Sequence, residues 1–197
     1  MESSEFYRYV NMLERVLSFG YKTKYTFNVI EHYISHSSFF LVLEKDVIDS
    51  ALFMSDEQLV KSIYSDSIPL NEVPVYRQCL WAAEAYLTIL KETHLAFEAM
   101  FLYLPLEKMY QMFDLYHEMD FSLVVEEFNN ERQSSSILEK VLQKYHLSIS
   151  KVSKETNIPY ATLSSLKEKQ RDMKKTNLET AVKLAAYFRI RVETLLY

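Results

Sequence analysis

With 197 residues, 49% apolar and 25% charged, the chain has the proportions of a globular protein that buries a core, much of it supplied by 12 Phe and 15 Tyr. One glycine, Gly20, excludes phosphate-cradling loops, dinucleotide fingerprints and nucleophile elbows, each of which needs at least two glycines, and one cysteine, Cys79, excludes an intrachain disulfide. The net charge of −5 is unevenly divided: residues 134–197 hold 12 Lys+Arg and 6 Asp+Glu, a net of +6, whereas residues 1–133 hold 10 and 21, a net of −11.

The first residues, Met1-Glu2-Ser3-Ser4-Glu5, are polar and acidic and do not read as a secretory signal. Together with the single cysteine they point to a cytoplasmic protein. A Ser-capped helix is predicted over residues 4–19, with Phe6, Tyr9, Val10, Leu13 and Leu17 as its apolar positions. The run Phe39–Leu43 fits a buried strand or part of a helix equally. Ser55, followed by Asp56 and Glu57, marks a helix start leading to Leu59, Ile63 and Tyr64. Residues 75–104 read as one long helix or two joined ones, with Cys79, Ala82, Tyr86, Ile89, Leu90, Phe97 and Phe101 as the stripe. The most apolar stretch, residues 95–106, is broken by Glu98 and is shorter than the ~20 residues a bilayer requires, so no membrane partner is expected. Pro105 ends the stripe, residues 106–119 resume it through Met109, Phe113 and Tyr116, and Asp120 is placed to cap residues 121–131.

A domain boundary is expected near Gln133-Ser134-Ser135-Ser136, where the charge changes sign. Beyond it, residues 149–156 predict a short helix with Ile149 and Val152 inward. Small Ser153 lets a second helix cross close by, and Asn157 stands where the first helix must end in a left-handed residue. Ile158 plugs the turn, and Pro159 opens a second helix over residues 159–169 that buries Leu163 and Leu166. Its other face carries Tyr160, Ala161, Ser164, Ser165 and Glu168: small or polar groups, as a helix entering the major groove requires. Lys151, Lys154, Lys167, Lys169, Arg171, Lys174 and Lys175 surround it and suit phosphates. A further helix, capped by Asn177, is expected to pack through Leu178, Ala181, Leu184, Ala185 and Phe188, with Val192, Leu195 and Leu196 closing the bundle.

Residues 137–196 resemble the phage repressor/Cro-like helix-turn-helix family, the xenobiotic-response-element type. The resemblance rests on Val152-Ser153, Asn157-Ile158, Leu163, Leu166, the basic loop 169–175, Leu184-Ala185 and the closing Val192, Leu195 and Leu196. Two positions depart from it: Ser153 stands where the family has Ala, and Asn157 where it has Gly. The resemblance implies that the helix matching residues 159–169 reads DNA and that the protein binds two half-sites as a homodimer. The expected DNA-binding set is Pro159, Tyr160, Ala161, Thr162, Ser164, Ser165, Lys167, Lys169, Arg171, Lys174 and Lys175. Within it Tyr160 suits a sugar or a thymine methyl or simply covers the surface, the serines discriminate bases weakly, and the neighbouring Glu168 opposes phosphate.

The expected architecture is therefore all-α, with an acidic helical domain over residues 1–133 and a five-helix repressor/Cro-like domain over residues 134–197. The function it implies is a sequence-specific transcription regulator of double-stranded DNA, a repressor, whose acidic domain dimerises or accepts a protein or small effector. The alternative is a protein-interaction or inhibitor protein in which the acidic domain binds another protein and the helix-turn-helix is a scaffold. An enzyme ranks lowest. His32 and His36 stand at helical spacing without the H-E-x-x-H order, His117 has no second histidine, and Cys79 has no positioned base, so no catalytic group, metal or cofactor is expected.

Overall fold

A computed structural model describes residues 3–37, 40, 55–64 and 76–196. Among them all regular structure is helical, without a strand. By its internal contacts the chain divides into two compact units, one of residues 1–97 and 104–126, the other of residues 98–103 and 127–197.

The first unit is built around helix α1 (Ser3–Lys22), which begins ahead of the cap expected at Ser4 and continues past residue 19. The predicted positions Tyr9, Val10, Leu13 and Leu17 are buried, and so are Met12, Val16 and Phe19. Burial extends around most of α1, and the exposed Tyr7, Arg8 and Asn11 share the one side left to solvent. Gly20 explains how neighbours come this close. A Cβ there would lie 2.8 Å from Ile30 Cδ1 and 2.8 Å from the Tyr64 hydroxyl. Those groups come from α2 (Phe27–His36) and α3 (Asp56–Tyr64). Tyr64 stacks on Phe19 at 5.0 Å and on Tyr25 at 5.5 Å, and its hydroxyl donates to the Val16 carbonyl at 2.9 Å. The α3 start is a reciprocal cap: the Ser55 N–H donates to Gln58 Oε1 at 2.9 Å and the Gln58 N–H to Ser55 Oγ at 3.3 Å.

The expected segment 75–104 resolves into two helices, α4 (Arg77–Thr93) and α5 (Phe97–Tyr103). The break falls at His94, whose left-handed backbone (φ 54°) terminates α4. All the predicted stripe residues from Cys79 to Phe101 are buried. Pro105 then opens α6 (Leu106–Tyr116). Buried Glu31 of α2 accepts the Leu106 N–H at 2.8 Å, and Tyr86 donates its hydroxyl to the Leu104 carbonyl at 2.7 Å. The carboxylate thereby satisfies an orphan donor where the α6 dipole is positive. Asp120 accepts the Ser122 N–H at 2.7 Å and starts α7 (Ser122–Ser134). Cys79 is buried, in contact with the Tyr110 hydroxyl at 3.1 Å, and burial pushes its thiol up, away from the reactive thiolate. His36 Nδ1 binds the His32 carbonyl at 2.9 Å, and no group of metal-ligating side chains forms among the described residues. Of the Phe39–Leu43 run only Phe40 is described, and it is buried.

In the second unit five helices follow one another: α8 (Ile137–Lys144), α9 (Ile149–Thr156), α10 (Tyr160–Lys167), α11 (Leu178–Phe188) and α12 (Val192–Leu195), with a 3-10 turn at Met173–Lys175. Four side-chain caps define them. Ser136 accepts from the Glu139 N–H, Ser148 from Lys151, Asp172 from Lys174 and Asn177 from Thr180. Ala181, Leu184, Ala185 and Phe188 are buried as expected, but Leu178 is 72% exposed. At 100° per residue Leu178 lies about 70° from the centre of that stripe, and its place at the helix start carries it past the edge of the core.

Residues 98–103 contribute to this unit through Glu98. Its Oε2 accepts the Arg191 N–H at 3.0 Å and the Thr194 hydroxyl at 2.6 Å, with Arg191 Nε at 3.7 Å. Arg191 is the residue before α12, so a carboxylate nearly a hundred positions upstream caps that helix.

Two changes test these contacts. Gly20→Ala gains ~1 kcal/mol of helix propensity but overpacks against Ile30 and Tyr64 at a cost of about 1–3 kcal/mol; we expect net loss of stability in chemical denaturation, and a more stable variant would remove the close-approach role of Gly20. Glu98→Ala leaves two donors unsatisfied and is expected to cost about 2 kcal/mol and to speed amide exchange at Arg191, while Glu98→Gln, which still accepts, restores most of both.

Candidate nucleic-acid interface

The α9–turn–α10 unit forms because its sequence places the branched aliphatic side chains on the inner side of each helix. Val152, Ile158, Leu163 and Leu166 are each at most 3% exposed, whereas Ile149 is only half-buried. Asn157 ends α9 in the left-handed conformation (φ 55°, ψ 28°), as expected. Ser153 does more than make room: its hydroxyl donates to the Ile158 carbonyl at 2.6 Å, tying α9 to the far side of the turn. The α10 helix starts at Tyr160 behind Pro159 (φ −54°) and ends at Lys167, shorter than the 159–169 span expected.

The solvent face of α10 holds Tyr160, 54% exposed, with Ala161 exposed and Thr162, Ser164, Ser165 and Lys167 partly so. The two serine hydroxyls are already engaged locally. Ser165 donates to the Thr162 carbonyl at 2.9 Å, and Ser164 donates to Glu168 Oε1 at 3.0 Å. Both oxygens keep acceptor capacity, so what they still offer a base edge is to accept a hydrogen bond from one of its N–H groups. Glu168 holds Ser164 on one oxygen and the Gln170 amide on the other at 3.0 Å. These neutral donors leave its negative charge on the face.

The cations divide into two groups. Arg171, Lys174 and Lys175 are exposed on the loop, as are Lys151 and Lys154 on α9. Lys169 is exposed as well, but its ammonium is engaged. It occupies a left-handed position (φ 56°) just after α10, and its ammonium donates to the carbonyls of Arg132 and, at 2.9 Å, Gln133. Those oxygens end α7, where unpaired carbonyls and the negative dipole end attract a cation. Partial desolvation, with Arg132 nearby, lowers the Lys169 pKa. Lys167 lies 3.9 Å from Glu139.

A shallow concavity flanks the start of α10, where Tyr160 and Lys167 share walls with Gln143, His146, Ser148 and Ser150. These last four were outside the expected set. The signal for them was the Ser148 cap of α9, because a helix start presents unpaired N–H groups beside the second helix, a suitable phosphate partner.

Comparison with known families matches residues 138–197 to the Cro/C1-type helix-turn-helix DNA-binding domain. The chain thus carries an all-helical domain of this type at its C-terminal end, the family that its residues resemble. No curated protein and no solved structure matches the chain.

Because Lys169 is committed to the α7 carbonyls, Lys169→Ala is expected to lower folding stability by about 1 kcal/mol, the low end for a hydrogen bond from an exposed ion. Thermal unfolding of the full chain checks this, and an unchanged midpoint would return Lys169 to the pool of surface cations.

Proposed function

We propose that the protein is a sequence-specific transcription regulator, a repressor, that inserts α10 into the major groove of double-stranded DNA. The observation that carries this reading is the α9–turn–α10 unit itself. Four buried apolar side chains hold a helix whose outer face is small and polar, amid loop cations, within a segment matching a DNA-binding family. A helix of that form fits the groove, and cations beside it neutralise phosphates. Tyr160, Ala161, Thr162, Ser164 and Ser165 face the bases, with Pro159 setting the approach of the helix. Lys167, Arg171, Lys174 and Lys175 meet the backbone. As a homodimer the protein spans two half-sites about one helical turn, ~34 Å, apart. Residues 1–133, with their net charge of −11, repel DNA and serve pairing or sensing, by contact with a protein or a small effector. A cytoplasmic location follows from that role.

Glu168 supports a second reading. A carboxylate on the presented face opposes DNA, as it would on a scaffold whose acidic partner domain binds protein.

Selection from a random double-stranded DNA pool at low and physiological salt separates the two. Enrichment of a two-fold symmetric site supports the regulator, and no retention at either salt supports the interaction protein. For the selected site, Lys174→Ala with Lys175→Ala is expected to weaken binding to every sequence and to flatten the logarithmic salt slope by about 2. Glu168→Gln is expected to tighten binding several-fold by removing a charge that faces phosphate. Tighter binding by the lysine variant, or weaker binding by the glutamine one, would place the docking face elsewhere.

A further inference from the structure

We propose that the cleft beside the 169–175 loop, within the second unit, is a binding site for a small anionic amphiphile: a carboxylate or phosphate monoanion on an apolar body. The cleft has a volume of about 500 Å³, within the ~300–1,000 Å³ of small-molecule sites. Its floor is apolar and buried, formed by Tyr103, Leu138, Leu166 and Met173. Its rim is basic, with Arg132, Arg171 and Lys174 lining it at partly or fully exposed positions.

The rim cations point to an anion. Among the described residues no carboxylate forms a salt bridge with Arg132, Arg171 or Lys174. The one acidic residue in the wall, Asp172, accepts the Lys174 backbone N–H at 2.9 Å and serves as a helix cap. The fourth cation, Lys169, donates to the carbonyls that end α7 and keeps its charge, because those partners are neutral. Four like charges thus line one opening against the single carboxylate of Asp172, and an anion there relieves their repulsion. A bare inorganic anion satisfies the rim and leaves the floor wet; an apolar tail on the same anion uses both.

The site has a consequence for regulation. Arg171 and Lys174 belong to both the cleft and the phosphate-contacting set, so a ligand that draws them inward removes two cations from the DNA face. Ligand and DNA then bind with negative coupling, each weakening the other by the same factor. This coupling rests on the DNA-binding reading above, whereas the ligand site does not.

The test is calorimetric titration of the full-length protein with decanoate below its micellar range, beside decanol and inorganic phosphate as probes of the tail and the charge alone. We expect one decanoate per chain, with decanol and phosphate each at least tenfold weaker. Arg132→Ala and Arg171→Ala are expected to raise the decanoate Kd tenfold or more, and Lys183→Ala, whose ammonium pairs with Glu179 on α11, to leave it unchanged. Thermal unfolding of each variant verifies the fold. Absence of decanoate binding, equal binding of decanol or phosphate, or indifference to both arginine variants would overturn the site. Saturating decanoate is expected to weaken binding to the selected DNA at least tenfold. Unchanged DNA affinity would overturn the coupling alone, and decanoate binding in a protein that retains no DNA would uphold the site while sinking the regulator reading.

Discussion

The presentation of α10 depends on a turn only a few residues long. Asn157 reverses the chain in a left-handed conformation, Ile158 drops into the core, and the Ser153 hydroxyl holds the Ile158 carbonyl. Each contact fixes a different degree of freedom. The left-handed residue sets the angle between α9 and α10, the buried Ile158 sets their depth, and the hydroxyl sets the register of one against the other. With these set, Leu163 and Leu166 must face inward, and Tyr160, Ala161 and Ser164 must face water. The serine at position 153 adds a directional bond at a point where an alanine would give close packing alone.

The same device recurs along the chain at its helix ends. Lys24, His94, His146, Asn157, Lys169 and Arg189 have positive φ, and none is glycine. Outside glycine, left-handed backbone costs about 1–2 kcal/mol, so each such position relies on its surroundings. At Lys169 part of the offset is visible in the ammonium bound to the α7 carbonyls. At His94 and Arg189 it comes through the backbone, whose N–H groups return to the carbonyls of Leu90 and Ala186. Glycine is kept instead for a position inside a helix where α1, Ile30 and Tyr64 converge and a Cβ has no room. Its scarcity shapes the fold through packing, not through turns.

Buried carboxylates perform the complementary task at helix starts. Glu31 holds the Leu106 N–H at the beginning of α6, and Glu98 holds the Arg191 N–H and the Thr194 hydroxyl at α12. Both use a negative charge where a helix dipole is positive, and both join residues far apart in sequence. Through Glu98, residues outside the segment that matches the DNA-binding family take part in its last helix. The integrity of the presented face is thereby linked to chain well upstream of it.

The sequence by itself determined the all-helical class, the limits of α9, the left-handed Asn157, the cap at Asn177, and the buried set Val152, Ile158, Leu163 and Leu166. All of these are local: a cap, a turn residue or a 3.6-residue period is written within a few positions of where it acts. Only the tertiary structure decided that the Lys169 ammonium binds the α7 carbonyls, that Leu178 lies beyond the edge of the core, that His94 divides residues 75–104, and that Glu98 caps α12. The partners of Lys169 and Glu98 lie tens of residues away. A lysine in a basic loop and a glutamate interrupting an apolar run carry no mark of whether water or a distant backbone group will receive them. Local geometry selects which side of a helix is apolar; the packing of one segment on another selects which charges on the polar side remain free.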